Sequence, residues 1–166
     1  VKQNWDDELR FAKLLPHFNA TLADFAKRSA AVRARFAFQT ARYGPAPRQW
    51  LEWLPGDDAN GRMIMFIHGG YWRALRAEDH RFVLPALRPA AAVVANAEYR
   101  LLPGVRMSDA VADIVAAAQA LLARFPGREL TLAGHSAGAH LAACAALDAS
   151  IAARVSGLVL LSGLYD

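Results

Sequence analysis

Residues 129–138 read Glu-Leu-Thr-Leu-Ala-Gly-His-Ser-Ala-Gly, and this stretch decides the fold. Glu129–Ala133 has the β-branched and apolar content of a strand, and Ala137–Leu147 is an alanine-rich run suited to a helix. Between them Gly134-His135-Ser136-Ala137-Gly138 matches G-x-S-x-G. Chance alone produces such a pentapeptide in about one chain in twenty of this size, so its context carries the reading. A strand that turns sharply into a helix holds its central serine in a strained backbone, and side chains at the flanking glycines would collide with their neighbours. The turn lifts the Ser136 hydroxyl above the sheet. It also sets the Ala137 N–H at a helix N-terminus, where amides and dipole favour a developing anion.

Working outward, Met63–Ile67 is a continuous apolar run, as a strand buried on both faces requires. A helix is predicted over Glu78–Leu87, closed by Pro89, then a strand over Ala91–Ala97 and a helix over Met107–Phe125. After the serine stretch comes a strand over Gly157–Ser162. Strand and helix alternate three times, the pattern of an α/β domain with a mostly parallel sheet and helices on both faces. Upstream, Asp6–Leu15 and a second segment capped by Asn19, running through Leu22, Phe25, Ala26 and Val32, read as helices. Phe36–Tyr43 and Gln49–Leu54 read as two antiparallel strands around the Gly44-Pro45-Ala46-Pro47 turn. Residues 1–35 therefore form a helical segment ahead of a single domain over 36–166.

Composition narrows the classes. The 166 residues are 55% hydrophobic and 20% charged, which fits a globular core. Net charge is +4, but the arginines are scattered, with Arg33/Arg35 and Arg73/Arg76 the densest groupings, so no nucleic-acid surface is expected. A single cysteine, Cys144, excludes an internal disulfide and a cysteine-based zinc site. Neither a signal-peptide core nor a membrane-length apolar run is legible, so a cytoplasmic protein without membrane contact is expected. No cofactor or metal is called for, and a homodimer stays open.

His68-Gly69-Gly70-Tyr71-Trp72 follows the buried strand. In serine hydrolases a loop at this place supplies the remaining amides of an oxyanion hole, and glycine lets backbone approach a substrate carbonyl. Together with Ser136-Ala137-Gly138-Ala139-His140-Leu141, it resembles the hormone-sensitive-lipase-like branch of the α/β-hydrolases. Within that branch the strings GHSAGAHLAA (134–143) and LLSGLYD (160–166) are most similar to the kynurenine formamidases, also called arylformamidases. The similarity runs from Phe36 to Asp166. It implies the N-terminal portion of an α/β-hydrolase fold, with Ser136 as nucleophile and the N–H groups of Gly70, Tyr71 and Ala137 as oxyanion hole. His68, Gly69, Trp72, Gly134 and Gly138 complete the two motifs. The implied reaction is hydrolysis of N-formyl-kynurenine to kynurenine and formate, a step of tryptophan catabolism, without a metal.

A base is harder to find. His68 begins the loop and is expected to orient it, and His135 diverges from Ser136 within the turn. His140 shares a helical face with Ser136 by spacing but lies beyond the turn. His80 opens a helix and is expected to face solvent, while His17 belongs to the N-terminal segment. Asp166 closes the last strand, either as the triad acid or, as favoured, in a structural loop. Asp109 and Asp113 read as capping or solvated groups, and Glu98 as a brace for the oxyanion loop. Tyr71, Trp72 and Tyr99 stand at strand carboxyl ends, where such sheets bind ligands, and either wall a pocket or pack beside the sheet. In this fold the order is Ser, then Asp or Glu, then His, so base and acid are expected beyond Asp166. The expected substrate is a small carbonyl compound. A formamidase, a general carboxylesterase and a non-catalytic binding module without a base are the three readings.

Overall fold

The computed structural model describes residues 17–165. The expected helix at Asp6–Leu15 and the residue Asp166 lie outside them. The first helix, α1 (Phe18–Arg35), is followed by strands β1 (Gln39–Arg42), β2 (Trp50–Pro55) and β3 (Met63–Ile67). A 3₁₀ segment (Ala77–Val83) runs into the short helix α2 (Leu84–Leu87), then β4 (Val93–Ala97) and α3 (Met107–Arg124). The chain continues with β5 (Leu130–His135), α4 (Ala137–Ala146) and β6 (Val155–Leu161).

Six strands form one sheet in the order β1-β2-β4-β3-β5-β6. β3, β4, β5 and β6 are mutually parallel, and β2 joins antiparallel to β4 and to β1. The alternation along β3 shows why its run is apolar throughout. Met63, Met65 and Ile67 face a core shared with Ile114 and Leu121 of α3 and Leu141 of α4. Ile64 and Phe66 face the opposite core with Leu84 of α2. Both faces are covered, as period-two strands under two helix layers require. Burying each of these side chains contributes about 1.5–3 kcal/mol.

The differences from the sequence reading have local causes. α1 begins after His17, with Asn19 inside its first turn; Thr21 Oγ1 donates to His17 O at 3.1 Å. Pairing of β1 starts only at Gln39↔Trp53, so Phe36 and Phe38 pack on the second core as unpaired chain. The expected helix over Glu78–Leu87 is 3₁₀ up to Val83 and α only over Leu84–Leu87, where Pro85 stands in the first turn and has no N–H to donate back to Arg81 O.

Asp113 is a clear correction. It is not solvated: it is buried on α3 and accepts from Gln49 Nε2 at 2.7 Å, the Arg100 amide at 3.0 Å and the Arg100 guanidinium at 2.7 Å. This ties the β1–β2 turn to the chain leaving β4. Asp109, by contrast, caps α3 by accepting from the Arg106 amide at 2.8 Å. Among the described residues no helix is long and apolar enough to cross a membrane.

Candidate active site

Ser136 stands between β5 and α4 with φ 53° and ψ −121°. An L-residue held there stores about 1–3 kcal/mol, which its surroundings must offset. Part of the restraint is hydrogen bonding: the Ser136 amide donates to Leu161 O at 2.8 Å, and its carbonyl accepts from the Ala139 and His140 amides at 2.9 and 3.2 Å. The rest is steric. A Cβ on Gly134 would lie 2.4 Å from the Gly138 backbone, and one on Gly138 would lie 2.1 Å from Ile67 O. The first turn of α4 thus packs directly on the end of β3. The serine side chain is half-buried and makes no capping hydrogen bond to its own helix. Ala137 opens that helix, where the first amides lack intrahelical acceptors.

The loop after β3 passes beside the serine: a Cβ on Gly69 would lie 3.2 Å from Ser136 Cβ. Gly70, Tyr71 and Trp72 have successive φ values of 114°, 59° and 57°. Gly70 O accepts from the Arg73 and Ala74 amides, and Trp72 O accepts from the Leu102 amide. The Trp72 ring meets Tyr71 edge-on at 5.8 Å and His140 edge-on at 5.3 Å. The structure therefore brings together Ser136, Ala137, Gly69, Gly70, Tyr71 and Trp72 at the carboxyl ends of β3 and β5.

The histidines separate. His68 is fully buried, stacked against Tyr99 at 4.5 Å and His80 at 5.5 Å, with Nδ1 2.6 Å from Gly69 O. Its Nε2 is 3.5 Å from Glu98 Oε1, too long for a strong hydrogen bond. His140 turns Nε2 toward Cys144 Sγ at 3.6 Å. His135 is exposed at the elbow and His17 is exposed at the start of α1. Among the described residues no histidine hydrogen-bonds to the Ser136 hydroxyl.

Two more expectations are corrected here. Tyr99 presents no surface to a ligand: it is fully buried, and its hydroxyl donates to His68 O at 3.0 Å beneath the loop. Burial pushes its phenol pKa up. His80 does not face solvent; it is 3% exposed among Phe25, Phe66 and Phe82, brought there by α1, β3 and the 3₁₀ segment. Burial lowers its pKa from 6.5 to about 4, despite the contact of Nδ1 with Arg76 O. A histidine neutral in the fold and free to charge when unfolded contributes stability above pH 6.5 that is lost as pH falls through the folded value. The loss by pH 4 should be on the order of 3 kcal/mol. Urea unfolding at pH 7 and at pH 4 should show it, with a smaller pH effect in His80→Gln; an equal pH effect in that variant would exclude His80 as the source.

Sequence reading did not find Arg48, which has no signal beyond a lone charge after a proline turn, nor the meeting of Trp72 with His140. Among the described residues no group of three or more His, Cys, Asp or Glu could hold a metal ion. A groove lined by Trp53, Phe125, Arg124 and Arg128 lies at the opposite end of the sheet from Ser136.

Comparison with known proteins agrees with this geometry. A family model described as the alpha/beta hydrolase fold matches residues 64–166. The chain is 30% identical over 151 residues to kynurenine formamidase of Danio rerio, covering 85% of this chain and 52% of that protein. It is 41% identical over 97 residues to an acetyl-hydrolase of Streptomyces hygroscopicus, covering 57% of this chain and 32% of that one. A solved structure from Silicibacter sp. TM1040, provisionally described as a thioesterase, superposes with a TM-score of 0.86 at 25% identity, over 95% of this chain and 63% of its own. The chain spans about half the length of the curated formamidases of Danio rerio and Meyerozyma guilliermondii that it matches. A serine at a strained strand-to-helix turn, on a mostly parallel sheet of this order, has its explanation in descent: the chain belongs to the alpha/beta hydrolase fold family and is related to the kynurenine formamidases.

Proposed function

We propose that Ser136 is the nucleophile of a serine hydrolase whose substrate is a formamide of the N-formyl-kynurenine type. The observation that carries this is the Ser136 backbone, held at positive φ at the N-terminus of α4 with the Gly69-Gly70 loop against it. In this reading the Ser136 oxygen bonds to the formyl carbon while its proton passes to a histidine base outside residues 17–165. The carbonyl electron pair moves to oxygen, where the amides of Gly70, Tyr71 and Ala137 receive the negative charge. The base returns the proton to the amine as the C–N bond breaks. Water then hydrolyses the formyl ester, releasing formate and restoring the serine.

The formamidase assignment is supported by the 30% identity over most of the chain. A small-acyl carboxylesterase is the second reading, favoured by the 41% identity to an acetyl-hydrolase. Residues 36–166 belong to one hydrolase domain that follows the segment 1–35. The enzyme works in the cytoplasm on a small-molecule partner, with neither nucleic acid nor membrane as a partner. In the full-length protein, N-formyl-kynurenine should be cleaved with higher kcat/KM than p-nitrophenyl acetate or butyrate. A preference for the esters would replace formamidase by esterase, and no turnover of any of the three would favour a binding module.

A further inference from the structure

The segment from His68 to Ala77 does not hold its shape by local preference. Tyr71, Trp72 and Leu75 all have positive φ, at 59°, 57° and 69°, so contacts from elsewhere must impose the conformation. The Leu102 amide holds Trp72 O, and the contacts at His68, Leu75 and Ala77 converge on one ion pair. Glu98, buried just beyond β4, accepts from the Ala77 amide at 2.9 Å through Oε2. Its Oε1 accepts from Arg48 Nε at 2.9 Å, pairs in charge with Arg48 Nη2 at 2.6 Å, and lies 3.5 Å from His68 Nε2. Arg48 in turn donates to Leu75 O at 2.6 Å and Tyr99 O at 3.0 Å. One ion pair therefore touches His68, Leu75 and Ala77.

The sheet does not need this side chain. The Glu98 backbone is already held, its amide donating to Trp50 O at 3.1 Å and its carbonyl accepting from Tyr43 Oη at 2.6 Å. Burial works against the charged carboxylate, yet His68, the Ala77 amide and Arg48 keep its pKa below the ordinary value. Resting on the reading of Ser136 as nucleophile, we infer that Arg48 and Glu98 are positioning residues, a clamp that aims the oxyanion amides of the 68–77 loop. They touch no reacting atom and act through the loop.

Oxyanion amides are needed only when charge develops, so a loosened loop lowers kcat and leaves KM nearly unchanged. The test uses the full-length protein and the variants Glu98→Gln, Arg48→Met and both together, with N-formyl-kynurenine and p-nitrophenyl acetate as substrates. Each variant should lose about 30- to 100-fold in kcat, with KM within about threefold of wild type. The Kd for phenylboronic acid, which mimics the tetrahedral intermediate, should rise by a similar factor. The double variant should be no worse than either single one, since the pair acts as a unit. It also removes both charges, so it decides the matter if a single variant fails to fold with one charge buried and unpaired. Folded variants with kcat within threefold of wild type, or with KM raised and kcat unchanged, would overturn the clamp. Ser136→Ala in the same assay separates the two readings. An inactive Ser136→Ala beside unaffected clamp variants sinks the clamp alone, whereas an active Ser136→Ala sinks the nucleophile and the clamp with it.

Discussion

Replacing Ser136 by alanine in the full-length protein should lower kcat by about 10⁴-fold or more while the fold stays intact. The substitution removes one half-buried hydroxyl with no capping bond to its helix, and it leaves the Ser136 amide–Leu161 O bond and the two bonds to Ser136 O in place. Stability is then held by the same backbone contacts, and only the attacking atom is lost. Labelling gives an independent readout. An organophosphonate places a tetrahedral phosphorus where the intermediate would sit, so an activated Ser136 should form a stable adduct found by peptide mass spectrometry. Ser108, Ser150, Ser156 and Ser162 should stay unlabelled. Residues 1–166 alone should label very slowly, because no described histidine hydrogen-bonds to the serine to take its proton. An adduct on another serine, or an alanine variant with wild-type turnover, would remove the basis for a serine mechanism here.

A methyl group at Gly138 should destabilise the protein by about 3 kcal/mol or more, the upper end of overpacking effects. The added Cβ would lie 2.1 Å from Ile67 O and 2.5 Å from His68 O, both backbone atoms that cannot rotate away. Helix propensity works in the opposite direction, favouring alanine over glycine by about 1 kcal/mol within a helix, and it is outweighed. For a domain of this size the expected fall in Tm is about 6–12 °C. Turnover should fall as well, because relieving the clash moves α4 from β3 and shifts Ala137 relative to the His68–Trp72 loop. Gly127→Ala is the control. Gly127 has φ 82° but open space around its Cβ position, so only the left-handed backbone is penalised, at about 1–2 kcal/mol. If Gly138→Ala were no worse than Gly127→Ala in thermal melts, close packing of α4 on β3 would not be what demands glycine there.

What could be read without a structure was what depends on neighbours in sequence. The unbroken apolar run Met63–Ile67 can be a strand only where both faces are covered, and β3 has those bounds. The five residues Gly134–Gly138 place a serine between a strand and a helix because steric demands there act over one or two residues, and Ser136 has the strained backbone this requires. The same holds for α3 and α4, whose ends fall within a residue of the periodic pattern.

Tertiary structure decided whatever depends on chain arriving from far away. His80 and Asp113 look like solvated groups on helices, since polarity is the only signal a sequence offers. Each is buried because distant elements deliver what it needs: the Phe25 ring over His80, and Gln49 with Arg100 around the Asp113 carboxylate. Tyr99 sits at a strand's carboxyl end, as a pocket wall would, yet it lies beneath His68, stacked on that ring just past the last β3–β4 pair, Ile67↔Ala97. The Arg48–Glu98 pair spans 50 residues and needs the β1–β2 turn to close over the end of β4. Propensity and spacing are properties of a local window, whereas burial and ion pairing of a polar side chain are set by what the folded sheet places above it.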